Sequence, residues 1–351
     1  MAFTPGELTN IANAALDYYF EKGKTFKNAV QAKPLVSAME GKAKTFPGGK
    51  GEISIGIKGN YGADGTNDSL KGYTHDDTVA FYTPANMQRA AFPWRETHIG
   101  MTLTHTELKI DGISVNDTAG SKGTSAHSNR EMTVLAGLLE DKTEDLGEQY
   151  LRGLNTMLWG DGTADAKGFA GIQSIIVDDP TAVGTVGGID QVANVWWRNR
   201  ANLAITSAAT NGGAFMQVLQ NECRQLRRYG SGPDLILAGS DAIDALEVEM
   251  RANGNYSDSG FSGGGDISVG DLSLKGVGRI KYDPTLDDMS MSKRLYMIDT
   301  KRVFLEKMES EWRRNHTPAR PSDQFLVHRS ITSTGQVVCS QRNTSGVYEI
   351  T

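Results

Sequence analysis

Apolar side chains recur every three or four positions through residues 130–159, and this spacing predicts one long α-helix. The opposite face is acidic between residues 140 and 148, which indicates a solvent-facing side. Ser128 followed by Glu131 matches a capping box, and Gly160 ends the run. The apolar positions that share one face are Leu135, Leu139, Leu146, Tyr150, Leu154 and Leu158. We expect a sheet to pack on this stripe.

Strict alternation of apolar and polar positions predicts a strand over residues 52–58, with Ile53, Ile55 and Ile57 on one face. Further strands are predicted over residues 78–82, 94–104, 172–177, 235–238, 295–298 and 303–305. Helical spacing also predicts helices over residues 5–22, 213–228 and 241–251.

A C-terminal hairpin is predicted from residues 325–331 and 337–340, with its turn at Thr334 and Gly335. Across the whole chain, strands precede and follow the helices without regular alternation. This order favours an α+β fold over a doubly wound parallel sheet.

Residues 59–77 are polar, glycine-rich and long for a loop inside a compact domain. They lie between two predicted strands, so we interpret them as the tip of a long hairpin. An isolated two-stranded arm is marginal in water. The isoleucine face of residues 52–58 therefore packs either on its own domain or on another subunit, and we expect a neighbouring subunit to be the main support.

The 351 residues correspond to about two domains at roughly 150 residues each. A net charge of −6 argues against a strongly basic nucleic-acid binder. Two distant cysteines give no disulfide framework or cysteine zinc site, and no apolar run suggests a membrane span or a secretion signal. Residues 22–50 hold seven lysines and one acid, which favours a solvated or self-contacting arm over one that docks on an acidic partner.

Each chemical motif in the chain has a simpler structural interpretation. Ser262 lies in a Gly-x-Ser-x-Gly pattern, but the polar residues before it predict no strand, so a serine hydrolase is a weak alternative to a flexible loop. Asp161 and Asp165 open a calcium-loop pattern that lacks its later ligands, which favours a turn. The six histidines show no metal-binding spacing, and the basic residues 312–316 favour an ion-pairing face over nucleic-acid reading. We therefore expect no catalytic, cofactor or metal site.

Several segments, in this order, resemble the major capsid protein of tailed bacteriophages, with the Hong-Kong-97-type fold. They are Leu-Asn-Thr-Met-Leu-Trp-Gly-Asp-Gly at residues 154–162, Gly-Thr-Val-Gly-Gly-Ile-Asp at 184–190 with Trp-Trp-Arg at 196–198, Gly-Pro-Asp-Leu-Ile-Leu-Ala-Gly-Ser at 232–240, and the stretch 325–340. The resemblance spans roughly residues 45–345.

The resemblance implies a layout in four parts. Residues 1–48 would form an N-terminal arm and residues 49–96 an extended E-loop. Residues 97–170, with residues 315–351, would form a peripheral domain that holds the long spine helix. Residues 171–314 would form an axial domain.

The implied function is that of a noncatalytic shell subunit in the virion. It would form hexamers and pentamers of an icosahedral head around double-stranded DNA, with a portal protein, a separate scaffolding protein and a decoration protein as further partners. An encapsulin-like nanocompartment shell is the main alternative. Some family members form an isopeptide crosslink, for which Lys58 or Lys71 and Asn343 are available here, but plain surface lysines are favoured.

Overall fold

The computed structural model describes residues 33–59, 70, 72–79, 81, 87–110, 129–206, 214–252, 273–274, 278–316 and 326–351. The helix predicted over residues 5–22 and the cap at Ser128 lie outside the described residues.

The described residues contain seven α-helices, and the three longest lie where the helical spacing predicts them. They are α1 (Pro34–Gly41), α2 (His105–Ile110), α3 (Asn129–Trp159), α4 (Ile172–Ile175), α5 (Ala214–Leu226), α6 (Ser240–Ala252) and α7 (Pro284–Asp288). The long helix α3 is confirmed, and Leu146, Tyr150, Leu154 and Leu158 are buried along one face. Leu135 and Leu139 lie in the part of α3 whose side chains the structure does not describe.

The strands fall into two larger sheets and two small hairpins. In chain order they are β1 (Lys44–Phe46), β2 (Glu52–Lys58), β3 (Met87–Pro93), β4 (Arg95–Thr104), β5 (Thr185–Val186), β6 (Ile189–Asp190), β7 (Arg200–Ile205), β8 (Leu235–Ala238), β9 (Ser273–Leu274), β10 (Gly278–Tyr282), β11 (Arg294–Ile298), β12 (Val303–Met308), β13 (Arg314–His316), β14 (Leu326–Cys339) and β15 (Gly346–Ile350).

The first sheet has the order β1-β12-β14-β13, and β4 also pairs with β14. All its pairs are antiparallel except β1 with β12. The second sheet has the order β7-β15-β11-β8-β10-β9 and mixes parallel with antiparallel pairs. Strands β2 and β3 form a separate hairpin, as do β5 and β6. The mixed sheets confirm the α+β fold class.

Two cores hold these layers together. The larger core joins α1, α3 and α4 with both larger sheets and the base of the β2–β3 hairpin. The smaller core lies between the second sheet and helices α5 and α6. One face of the second sheet therefore packs toward α3, and its other face is covered by α5 and α6.

The strand predicted over residues 172–177 is wrong, because these residues begin with the short helix α4. Ile172, Ile175 and Ile176 are all buried, and their spacing suits one helical turn as well as a short strand. A side chain on Gly171 would overlap the backbone carbonyl of Leu158, so the chain turns tightly at the end of α3 before entering α4.

The C-terminal hairpin is also wrong, because β14 is one continuous strand of 14 residues. Thr334 and Gly335 lie in its middle and pair with Glu96 and Arg95 of β4. A Cβ on Gly335 would lie 2.6 Å from the carbonyl oxygen of Glu306, so this glycine allows close approach of β12 and forms no turn.

The predicted return strand at residues 78–82 is wrong as well. Thr78, Val79 and Phe81 belong to no strand, and β2 pairs with β3 instead. The register places Ile53 opposite Phe92, and both side chains of this cross-strand pair are buried.

Candidate assembly surfaces

The base of the β2–β3 hairpin is attached to the β5–β6 hairpin of the same chain. The backbone N–H of Ala91 donates a 2.9 Å hydrogen bond to the carbonyl oxygen of Gly187. The side chain of Gln88 donates a 3.1 Å hydrogen bond to Oδ1 of Asn194. Gly187 has a φ of +59°, and a Cβ there would lie 2.9 Å from the Phe92 ring, so a glycine is required at this contact.

The isoleucine face of β2 is covered largely within the chain. Ile53 and Ile57 are buried in the larger core together with Phe92 and Val186, and Ile55 packs at its edge. The expectation that a neighbouring subunit provides the main support is therefore wrong for these residues. The β5–β6 hairpin supplies the apolar surface that an isolated two-stranded arm lacks.

Apolar exposure is concentrated between β2 and β3, in a set that we call the tip surface. Its members are Leu70, Tyr73, Val79, Phe81 and Met87. Leu70 and Phe81 are 105% and 89% exposed, values that describe side chains with almost no cover. Large apolar side chains left in water at several positions of one segment are typical of surfaces that bind other proteins.

A second exposed apolar set flanks the β5–β6 hairpin, and we call it the loop surface. Val183, Val192 and Val195 are all exposed. The segment beneath them is well ordered by hydrogen bonds, since Gln191 donates to the carbonyl of Ala182 at 2.9 Å and Arg198 donates to the carbonyl of Gln191 at 2.7 Å. These valines are therefore held outward on a rigid segment.

The helical side of the second sheet carries complementary charges. Arg224, Arg227 and Arg228 are exposed at the C-terminal end of α5, where cations interact favourably with the helix dipole. Asp241 and Asp244 are exposed on α6. These two helices therefore carry exposed charges of opposite sign.

A buried arginine, which the sequence analysis missed, orders the region behind the loop surface. Arg342 is fully buried and donates to the Ile175 carbonyl at 2.7 Å, to Asn199 at 2.8 Å and to Gln191 at 3.3 Å. Burial lowers the pKa of its guanidinium to about 10. No periodic signal marks this position, because all three acceptors come from distant parts of the chain.

The predicted chemical motifs hold no reactive arrangement in the described residues. Asp161 accepts hydrogen bonds from the N–H and hydroxyl of Thr163, which lower the pKa of Asp161 and form the predicted turn. No group of three or more His, Cys, Asp or Glu side chains in the described ranges could hold a metal ion. Ser262 and Lys71 lie outside the described residues.

The two cysteines are both buried and free. Burial raises the pKa of Cys223 to about 11 and that of Cys339 to about 12, so both remain protonated at neutral pH. Asn343 donates a 3.4 Å hydrogen bond to the carbonyl of Trp196, and Lys58 is the last residue of β2. Among the helices that the structure describes, none has the length and apolar character to cross a membrane.

The α+β fold, with its two larger sheets, one long helix and the β2–β3 hairpin, is similar to that of chains in solved phage capsid structures. A chain of the cyanophage A-1(L) capsid asymmetric unit aligns with a TM-score of 0.56 and 13% identity, over 90% of this chain and 92% of that one. A chain of the bacteriophage PhiM1 mature capsid aligns with a TM-score of 0.54 and 9% identity, over 89% and 86%. A Gordonia phage Cozz chain aligns with a TM-score of 0.51 and 12% identity, over 90% and 86%.

No protein-family model matches the chain, and a search of curated protein sequences finds no significant match. The similarity to these structures therefore rests on the fold, at 9–13% sequence identity.

Proposed function

We propose that this chain is a major capsid protein, a structural subunit that assembles into hexamers and pentamers of an icosahedral phage head. The observation that carries the proposal is the capsid fold, which aligns over about 90% of the chain with a capsid subunit of similar length. The tip surface adds independent support, because a soluble monomer would gain nothing from holding Leu70 and Phe81 in water.

The proposed layout assigns residues 1–48 to an arm, 49–96 to an E-loop, 97–170 with 315–351 to a peripheral domain, and 171–314 to an axial domain. Most strands of the two larger sheets agree with this division. The first sheet also takes β1 from the proposed arm and β12 from the proposed axial domain, and the second sheet takes β15 from the proposed peripheral domain. The two domains are thus interlocked.

The proposed role is noncatalytic and places the protein in the virion. A head of this kind encloses double-stranded DNA, and a subunit charge of −6 offers DNA no overall attraction. Packaging would need an external motor acting at a portal protein. A separate scaffolding protein and a decoration protein complete the proposed set of partners.

Assembly can be tested by removing the tip surface. Burying two large apolar side chains contributes about 1.5–3 kcal/mol each, so Leu70→Ser with Phe81→Ser should lower shell yield by more than about tenfold. The unfolding midpoint of the free subunit should not change, because both side chains are exposed. Leu70→Met with Phe81→Leu keeps the apolar surface and should assemble normally.

Sucrose-gradient sedimentation and light scattering measure the yield. If the unsubstituted protein stays strictly monomeric when expressed with its scaffolding protein, the proposed function is wrong. Shells that enclose protein cargo and no nucleic acid would instead favour the encapsulin-like alternative.

A further inference from the structure

The two larger sheets are joined by a pair of chain crossings that lie side by side. Residues 299–302 lead from β11 in the second sheet to β12 in the first, and residues 340–345 lead from β14 back to β15. We call these two segments the junction. The N–H of Ser340 donates a 2.9 Å hydrogen bond to the carbonyl of Arg302, so the crossings are tied to each other.

Residues 33–46, which include α1 and β1, lie across this junction. Leu35, Val36 and Met39 are fully buried in the larger core. Strand β1 extends the first sheet by pairing in parallel with β12. The segment therefore belongs structurally to the body of the subunit, although the sequence places it in a lysine-rich arm.

Three ionic contacts connect this segment to three different parts of the chain. Lys33 bonds to Glu148 of α3 at 3.0 Å. Glu40 accepts two 2.7 Å hydrogen bonds, one on each carboxylate oxygen, from Arg313 beside β13 of the first sheet.

The third contact reaches the second sheet and the junction together. Lys42 forms an ion pair with Asp234, which directly precedes β8, and donates to the hydroxyl of Thr300 at 2.5 Å. Asp234 also accepts a 2.9 Å hydrogen bond from the N–H of Thr300. Burial alone would raise the pKa of Asp234, but the hydrogen bonds from Lys42 and Thr300 outweigh it and leave that pKa below its usual value.

The apolar contacts of this segment stabilise it without fixing an orientation, whereas its ionic contacts depend on the orientation of the two sheets. Hydrophobic burial is non-directional, so the apolar side of α1 would tolerate a small rotation of one sheet against the other. Charge-assisted hydrogen bonds are directional and short, so a rotation would break them. The ionic contacts at Glu40 and Lys42 lie on opposite sheets and therefore oppose such a rotation.

We propose that residues 33–46 are a clamp that holds the two sheets at one angle, and that this angle sets the curvature of the assembled shell. The second part rests on the proposed function. The first part concerns the single subunit and is testable without assembly.

The clamp variant is Glu40→Gln with Lys42→Met, which keeps the apolar side of α1. The matched control is Glu311→Gln with Arg314→Met, because that exposed ion pair joins the β12–β13 connection to β13 and does not involve the second sheet. A second control, Leu219→Ala, lowers stability in the smaller core away from the junction. If the clamp variant does not fold, the single substitution Glu40→Gln replaces it in the same measurements.

Hydrogen exchange in the unassembled subunit tests the clamp itself. The amide of Ser340 should exchange about tenfold faster in the clamp variant and at the parental rate in the Glu311 and Arg314 control. Equal rates in the clamp variant and the parent protein would overturn the proposal. Equal acceleration by Leu219→Ala would also overturn it, because the effect would then reflect general instability.

Particle diameters measured by electron microscopy test the link to curvature. The clamp variant should give shells of several diameters, whereas both controls should give the single parental diameter. A single parental diameter in the clamp variant would overturn the curvature claim. Failure of the unsubstituted protein to form any shell would contradict the proposed function. The hydrogen-exchange result would then still show whether residues 33–46 hold the two sheets together in the single subunit.

Discussion

The indole N–H of Trp159 donates a 2.9 Å hydrogen bond to Oδ2 of Asp283, and both side chains are fully buried. Trp159 is the last residue of α3, and Asp283 caps α7 by accepting a hydrogen bond from the N–H of Thr285. The Trp159 ring also lies 4.9 Å, centroid to centroid, from Tyr296 of the second sheet. The end of the long helix is thus joined to the second sheet region by a polar and an aromatic contact.

Replacing Trp159 with phenylalanine should lower the free energy of unfolding by about 2–4 kcal/mol. The change removes a donor from a buried carboxylate and leaves a cavity. Trp94→Phe is the matched control, because its indole donates to the carbonyl of Lys50 at an exposed site and should cost less than about 1 kcal/mol. Urea denaturation of both variants measures the difference, and equal costs would contradict the structural role of Trp159.

The buried stripe of α3 should be far more sensitive than its acidic face. Leu154 is 3% exposed, and Leu154→Ala should cost about 2–5 kcal/mol and sharply reduce shell yield. Glu144 is exposed, so Glu144→Gln should change stability by less than about 0.5 kcal/mol and leave assembly intact. Denaturation curves and sucrose gradients check both effects; the reverse order of sensitivity would refute the assignment of the stripe.

Gly335 should not tolerate a side chain, because β12 passes directly beside it. Gly335→Ala should cost about 1–3 kcal/mol through overpacking against the Glu306 carbonyl. Gly56→Ala is the control: it also lies within a strand, but its Cβ would meet no atom within 4 Å, so it should be neutral or slightly stabilising. Thermal unfolding compares the pair. A neutral Gly335→Ala would contradict the close approach of the Glu306 carbonyl at this position.

The hydrophobic pattern of the sequence predicts some elements of the fold and misses others. It predicts α3 and β2 closely because each element buries one regular face over many residues. It fails at residues 172–177 and at Gly335, where short apolar runs and glycines have more than one structural meaning. The structure at these two places depends on contacts of Gly171 with the Leu158 carbonyl and of Gly335 with the Glu306 carbonyl. Neither contact produces a hydrophobic period in the sequence.

The assembly surfaces were predictable only in part. The long polar loop correctly indicated a hairpin, but its strand partner was misplaced and the base was found to be supported within the chain. The loop surface and Arg342 depend on tertiary contacts that leave no periodic trace in the sequence.

One surface hydrogen bond should respond to pH at both ends of the scale. The Tyr282 hydroxyl donates a 2.6 Å hydrogen bond to Asp287. This bond raises the pKa of Tyr282 to about 12. Burial alone would raise the pKa of Asp287, but hydrogen bonds from Tyr282 and Ser240 leave it below its usual value.

The two pKa shifts affect the stability of the fold at opposite ends of the pH scale. The raised tyrosine pKa stabilises the fold below about pH 10, and this contribution is lost as the pH rises from about 10 to 12. The lowered aspartate pKa stabilises the fold above about pH 4 and is lost as the pH falls below that value. Asp287→Asn should move the Tyr282 pKa toward about 10, measured by ultraviolet difference titration against Tyr282→Phe. An unchanged tyrosine pKa would show that the hydrogen bond does not cause the shift.

Electron microscopy of the purified protein is the most direct test of whether the subunit builds a shell. We expect closed icosahedral shells in which each subunit contacts a neighbour through Leu70 and Phe81. Uniform monomers, or closed shells in which the tip surface remains in solvent, would contradict this expectation.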